Sequence, residues 1–166
     1  MGPVLGREGA RELTSFDHGD WRNRLILGDS LLVMRSLLER EGARGKVQMA
    51  FVDPPYGIGF SSDAQPMVDT RRGGRRGTDQ VKAYSDTWQR GIHSWLSHLR
   101  DRLLLVRELL TGAGSVFVQI GDDNLHYARC IMDEVFGREN FCMMVQFQKT
   151  GQSTAELPPA VCDHLI

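Results

Sequence analysis

The sequence predicts an α/β domain, with a mainly parallel sheet and helices on both faces. Three observations carry this. Short apolar runs suited to strands alternate with segments of helical periodicity. The run Lys46–Val52 is apolar enough for a strand covered on both faces, as in parallel sheets. Turns containing glycine or aspartate close three of the strands, at Gly28-Asp29, Asp53 to Tyr56 and Gly121-Asp122-Asp123. In open α/β sheets ligands bind outside the carboxyl ends of the strands, so these turns are expected on one rim.

Residues 1–21 are polar and read as a loose N-terminal arm. Arg24–Leu27 reads as a first strand, closed by Gly28, with Asp29 or Ser30 as N-cap of the next helix. Leu31, Met34, Leu37 and Leu38 recur at helical spacing, and Gly42 is the stop. The strand to Val52 runs into Asp53-Pro54-Pro55-Tyr56. Residues 57–86 show no periodicity and read as a mobile loop, long enough to suggest a functional role. A long helix follows, with Thr87 as possible cap and an apolar face of Ile92, Trp95, Leu96, Leu99, Leu103, Val106 and Leu110. Gly112-Ala113-Gly114 is expected to end it. Ser115–Ile120 is a third strand, and Asp122 the cap of a helix carrying Leu125, Ala128, Met132 and Val135 on one face. Gly137 ends that helix, and Phe141–Gln148 is a fourth strand. A polar loop over 150–160 leads to Val161–Ile166, where something apolar begins and stops. That ending suggests truncation, or a sheet completed by another piece.

With 166 residues the chain suits one domain, and at 41% hydrophobic it can bury a core. A net charge of −1 gives no global basic signature, so contact with nucleic acid would need a local patch. The three cysteines have no paired spacing and read as free thiols in a reducing compartment. No apolar run suits a signal peptide or a membrane span, so a cytoplasmic protein is expected.

The tetrapeptide at 53–56 carries the chemistry. Two prolines fix φ and remove two N–H donors, so the turn offers carbonyl oxygens without competing donors. With the Asp53 carboxylate they make a stiff cluster of acceptors for an –NH₂ group. Tyr56 adds a flat face on which a base can stack. An amine on a nucleobase is a poor nucleophile, because its lone pair is delocalised into the ring. Accepting both N–H bonds, at Asp53 and at the Pro54 carbonyl, favours a pyramidal nitrogen whose lone pair points at an electrophilic methyl. Positioning then supplies much of the rate. The bland alternative is a diproline turn ending a strand, with Asp53 capping a neighbour.

From about Leu25 onward the sequence resembles the permuted class of DNA N6-adenine/N4-cytosine methyltransferases, which includes modification subunits of restriction systems. The matching stretches are Leu27 to Ser30, Asp53 to Gly59, Trp88, Gly114 to Asp123 and Val135 to Phe141. The resemblance implies a Rossmann-like methyltransferase sheet over 22–166 and S-adenosyl-L-methionine as cofactor. In that family an Asp-Pro-Pro-Tyr turn goes with adenine, so N6 methylation is implied, with N4-cytosine as the alternative. It further implies that Asp53 and Pro54 hold the amine, Tyr56 stacks on a base flipped from double-stranded DNA, and Asp29 touches the cofactor's adenine. Read alone, Asp29 is equally a plain helix N-cap. A restriction subunit and a second copy of the chain are the implied partners.

The departure is a missing Phe-x-Gly-x-Gly cofactor loop, which the family places late, after its target-recognition region. Only the first half of a family member is therefore expected here, and the isolated chain is expected to be inactive. Methyltransferases of RNA or of a protein glutamine also use Pro-Pro-Tyr turns, usually after Asn and with the loop ahead; no such upstream loop occurs. A non-catalytic binding or assembly module is the remaining alternative.

Arg71, Arg72, Arg75 and Arg76 put four guanidinium groups on the loop after the turn, suited to phosphate contacts or simply solvated. Lys82 and Tyr84 extend that patch. His93 and His98 lie five apart, off a common helix face, and His126 reads as a surface residue. His164 is placed near the sheet rim, and no metal site is expected. Cys130 and Cys142 read as core thiols.

Overall fold

The computed structural model describes residues 11–18, 21–57, 91–148 and 162–166. The first strand needs a hydrogen-bonding partner, and the preceding segment supplies it. β1 (Arg11–His18) pairs antiparallel with β2 (Trp21–Leu27), with Arg11 opposite Leu27 and His18 opposite Trp21. The stretch expected as a loose arm therefore contributes a strand. Its polar sequence lacks the alternation that would have marked it.

α1 (Ser30–Arg40) starts where the cap chemistry places it, with the Asp29 carboxylate accepting from the Leu31 N–H at 2.8 Å. Gly42, at φ +61°, turns the chain toward β3 (Val47–Val52). α2 (Ile92–Leu109) buries Trp95, Leu99, Leu103 and Val106, spaced to form one stripe. It ends earlier than expected. Leu110 is extended and opens β4 (Leu110–Gly121), so Gly112-Ala113-Gly114 lies inside a strand and does not terminate the helix. A Cβ on Gly114 would sit 3.0 Å from the Val47 carbonyl, so this glycine admits close strand contact.

A single 3-10 turn, Asp122–Asn124, leads into α3 (Leu125–Phe136), which Gly137 closes at φ +91°. Asp122 makes no side-chain capping bond; its carboxylate instead accepts from His164. The fourth expected strand is shorter, β5 (Val145–Gln148), after a 3-10 turn at Arg138–Asn140. The final segment forms β6 (Cys162–Leu165), in which Asp163 and His164 interrupt the expected apolar run.

The main sheet has the order β3-β4-β6-β5. The α/β class is as expected, but the sheet is mixed: β3 pairs parallel with β4, while β6 pairs antiparallel with both β4 and β5. α2 and α3 pack against each other and β4, where Trp95, Leu99, Leu103, Val118, Ile120, Ala128, Ile131, Met132, Val135 and Ile166 form the core. Truncating Leu99 or Leu103 to alanine would cost about 2–5 kcal/mol.

The register puts Phe51 beside Phe117, facing away from this core. Met49 and Phe51 are 61% and 55% exposed, so among the described residues β3 is not covered on both faces and lies at the end of the strand order. Cys130 and Cys142 are exposed as well, not core thiols.

Candidate functional site

Val52 is the last residue of β3, so Asp53 to Tyr56 emerges at the carboxyl end of a strand paired with β4. Two side chains from other elements pin the turn. The Trp95 indole N–H donates to the Pro55 carbonyl, and Asn124 Nδ2 donates to the Tyr56 carbonyl at 2.7 Å. Gly57 lets them approach: it has φ +76°, and a Cβ there would lie 2.9 Å from both Asn124 and Trp95.

The Tyr56 ring lies along the end of β4, where a Cβ on Gly121 would come within 3.2 Å of it. Its hydroxyl accepts from Gln119 Nε2 at 3.0 Å and donates to Asp163 Oδ2 at 3.3 Å. Burial, with help from the Asp163 and Asp53 charges, raises the phenol pKa, while the Gln119 bond pulls the other way. Burial first, and the Asp163 charge second, raise the Asp53 pKa above the usual carboxylate value.

Among the described residues, no hydrogen bond engages the Asp53 carboxylate or the Pro54 carbonyl. The carbonyls of Pro55 and Tyr56 are occupied, so the turn's open acceptors are those of Asp53 and Pro54. A cavity of about 550 Å³ borders them, and its lining includes Asp29, Ser30, Asp53, Pro54 and Arg102. Asp29 Oδ1 takes both the Leu31 N–H and, at 2.7 Å, the Arg102 guanidinium. Asp29 is thus a helix cap in fact, and it also shares a cavity with Asp53.

Asp29, Asp53, Pro54 and Pro55 thus border one cavity, and Tyr56 continues the turn beside them. Arg71, Arg72, Arg75 and Arg76 lie outside the described residues, as do Lys82, Tyr84, Thr87 and Trp88. Sequence reasoning missed Trp95, Arg102, Gln119, Asn124 and Asp163 as parts of the site. Trp95 read as one more apolar residue of a helical stripe, and Asp163 sat in a segment without periodicity. The one available signal was the position of Gln119 and Asn124 on either side of a turn already placed at the rim.

A family profile described as DNA methylase matches residues 47–163, which include the turn and both elements that pin it. The chain belongs to this DNA methylase family, of the N6-adenine/N4-cytosine type. It is similar to the type II methyltransferase M.EcaI of Enterobacter cloacae, 33% identical over 129 residues, covering 76% of this chain and 24% of that protein. It is also similar to the type III restriction-modification enzyme StyLTI Mod subunit of Salmonella typhimurium, 31% identical over 136 residues, covering 76% and 20%. A third relative is the probable type III restriction-modification enzyme HindVI Mod subunit of Haemophilus influenzae, 28% identical over 141 residues, covering 84% and 16%. The chain spans a quarter or less of the length of these curated relatives.

The described residues hold no group of three or more His, Cys, Asp or Glu side chains able to bind a metal ion. No described helix is long and apolar enough to cross a membrane.

Proposed function

We propose that this methylase segment is the target-base half of an S-adenosyl-L-methionine-dependent DNA methyltransferase acting on N6 of an adenine flipped from duplex DNA. The observation that carries the reading is the selective occupancy of the turn: Pro55 and Tyr56 carbonyls are taken, while Asp53 and Pro54 stay open among the described residues. That leaves two acceptors for the two N–H bonds of one amine.

The residues fit the cofactor. The cavity's volume lies in the range of ligand sites. Asp29 Oδ2 makes no bond among the described residues, which leaves it for the cofactor's adenine side. S-adenosyl-L-methionine supplies an electrophilic methyl group. Asp53 and Pro54 accept the amine N–H bonds and turn its lone pair out of the ring's π system. Tyr56 gives the base a stacking face. The methylated nitrogen must shed a proton, and Asp53, whose proton affinity is raised by burial and by Asp163, is placed to take it.

The 166 residues contain no Phe-x-Gly-x-Gly loop. The isolated chain is therefore expected to transfer no methyl group. Arg71, Arg72, Arg75 and Arg76 would contact phosphates beside the flipped base, giving salt-dependent binding. The Mod-subunit relatives support a restriction subunit as a partner, acting on the same intracellular DNA.

The test uses the whole protein that contains these residues. It is incubated with labelled S-adenosyl-L-methionine and mixed genomic DNA, which is then digested to nucleosides, with Asp53→Ala in parallel. Labelled N6-methyladenine that vanishes in the variant supports the reading. Label on N4-methylcytosine would move the target base, and no label from a folded protein would favour a non-catalytic module.

A further inference from the structure

The sheet places a carboxylate where a strand would not ordinarily carry one. Asp163 is on β6, hydrogen-bonded between β4 and β5, opposite Gly121 on one side and Phe147 on the other, and only 6% exposed. Burying a charge there is unfavourable unless it is matched by hydrogen bonds. Its Oδ2 faces the Tyr56 hydroxyl, which Gln119 holds from the neighbouring strand. A phenol has one proton to donate and lone pairs to accept with. Accepting from the Gln119 amide thus directs the single O–H toward Asp163. The backbone of the same tyrosine is fixed at its carbonyl by Asn124. The residue is therefore tethered at its backbone carbonyl and at its hydroxyl, and the hydroxyl's partners come from β4 and β6, not from the turn itself.

We propose that Asp163 is a positioning residue for the target base: with Gln119 it fixes the Tyr56 phenol, and so the plane on which the base stacks. This rests on the function proposed above. The 3.3 Å contact is long for an O–H donor.

The experiment is a double-mutant cycle in the whole protein, measuring kcat and KM for DNA in Asp163→Ala, Asp163→Asn, Tyr56→Phe and the Asp163→Ala/Tyr56→Phe pair. Asp163→Ala should lower kcat/KM roughly tenfold to a hundredfold when Tyr56 is present, and by no more than about twofold in the Tyr56→Phe background. Asp163→Asn, which keeps an acceptor oxygen, should recover most of the loss. A purely structural role in β6 would cost the same in both backgrounds, and that result would overturn the proposal. Carbon-13 tyrosine-ring spectra of the same proteins decide the matter independently of turnover. Asp163→Ala should displace the Tyr56 ring signals and leave those of Tyr127 in place, and unmoved Tyr56 signals would also overturn it. Displaced signals in a protein that transfers no methyl would uphold the tether and reject the methyltransferase reading.

Discussion

The Trp95 indole nitrogen, on a fully buried side chain of α2, donates to the carbonyl of Pro55 forty residues earlier in the chain. One helix thus sets both the core and the height of the acceptor turn. Trp95→Phe keeps much of the bulk and removes the donor. The stranded carbonyl should cost about 1–3 kcal/mol, seen as a melting midpoint lowered by roughly 3–8 °C. Methyl transfer should fall further than this, since a turn displaced by an ångström can cost about a hundredfold in rate. Unchanged turnover in Trp95→Phe would separate the helix from the chemistry.

Gly57→Ala should be more damaging than its size suggests. The residue has φ +76°, and an added Cβ would meet Asn124 and Trp95 at 2.9 Å, the two groups that pin the turn. Left-handed backbone strain and overpacking together should cost about 2–4 kcal/mol. Urea denaturation measures it; a loss under 1 kcal/mol would mean the turn readjusts freely.

Asp53 holds its proton more firmly in the fold than in the unfolded chain, through burial and then the Asp163 charge. Its contribution to stability is thus present below the unfolded carboxylate value of 3.8 and is lost as pH rises through the higher folded value. At neutral pH the ionised group opposes folding. Asp53→Asn should therefore raise the melting midpoint slightly, the effect on this exposed side chain being screened by solvent, while methyl transfer collapses. In the native protein, activity should fall as pH drops through the folded value, and Asp163→Asn should shift that limb to lower pH. A limb that stays in place would remove Asp163 from the electrostatics of the turn.

Asp29 serves two ends that substitution can separate. Asp29→Ala loses the cap on α1 and the Arg102 ion pair, and should cost about 1 kcal/mol. Asp29→Asn keeps a capping oxygen and should melt within about 0.5 kcal/mol of the native protein. Its affinity for S-adenosyl-L-methionine, measured by calorimetry in the whole protein, should still drop about tenfold. Equal affinity would leave Asp29 as a cap alone.

What could be read in the sequence depended on range. The Asp29 cap, the stripe from Trp95 to Val106, the stop at Gly137 and the exit of Asp53 to Tyr56 from a strand all follow from neighbours a few residues apart. The features missed are pairings across the chain. β1 exists because β2 needs a partner, and its own residues carry no alternating pattern. Gly112-Ala113-Gly114 has the composition of a helix stop, yet it lies within β4, in the register shift between the Val47–Leu110 and Met49–Ser115 pairs. β6 enters the sheet between β4 and β5, which turns a mainly parallel expectation into a mixed sheet and brings Asp163 to Tyr56. Asp122 looked like a cap until His164 arrived from that same strand.

The outer edge of β3 adds a kinetic consequence. It is the end of the four-stranded order, and its Met49 and Phe51 side chains are largely exposed. Among the described residues no strand pairs with that side, and an unpaired backbone edge beside exposed apolar side chains can accept an extended segment that reaches it. A seam of this kind is open to strands of the same polypeptide and of neighbouring molecules alike. Yield at high expression should therefore depend on concentration.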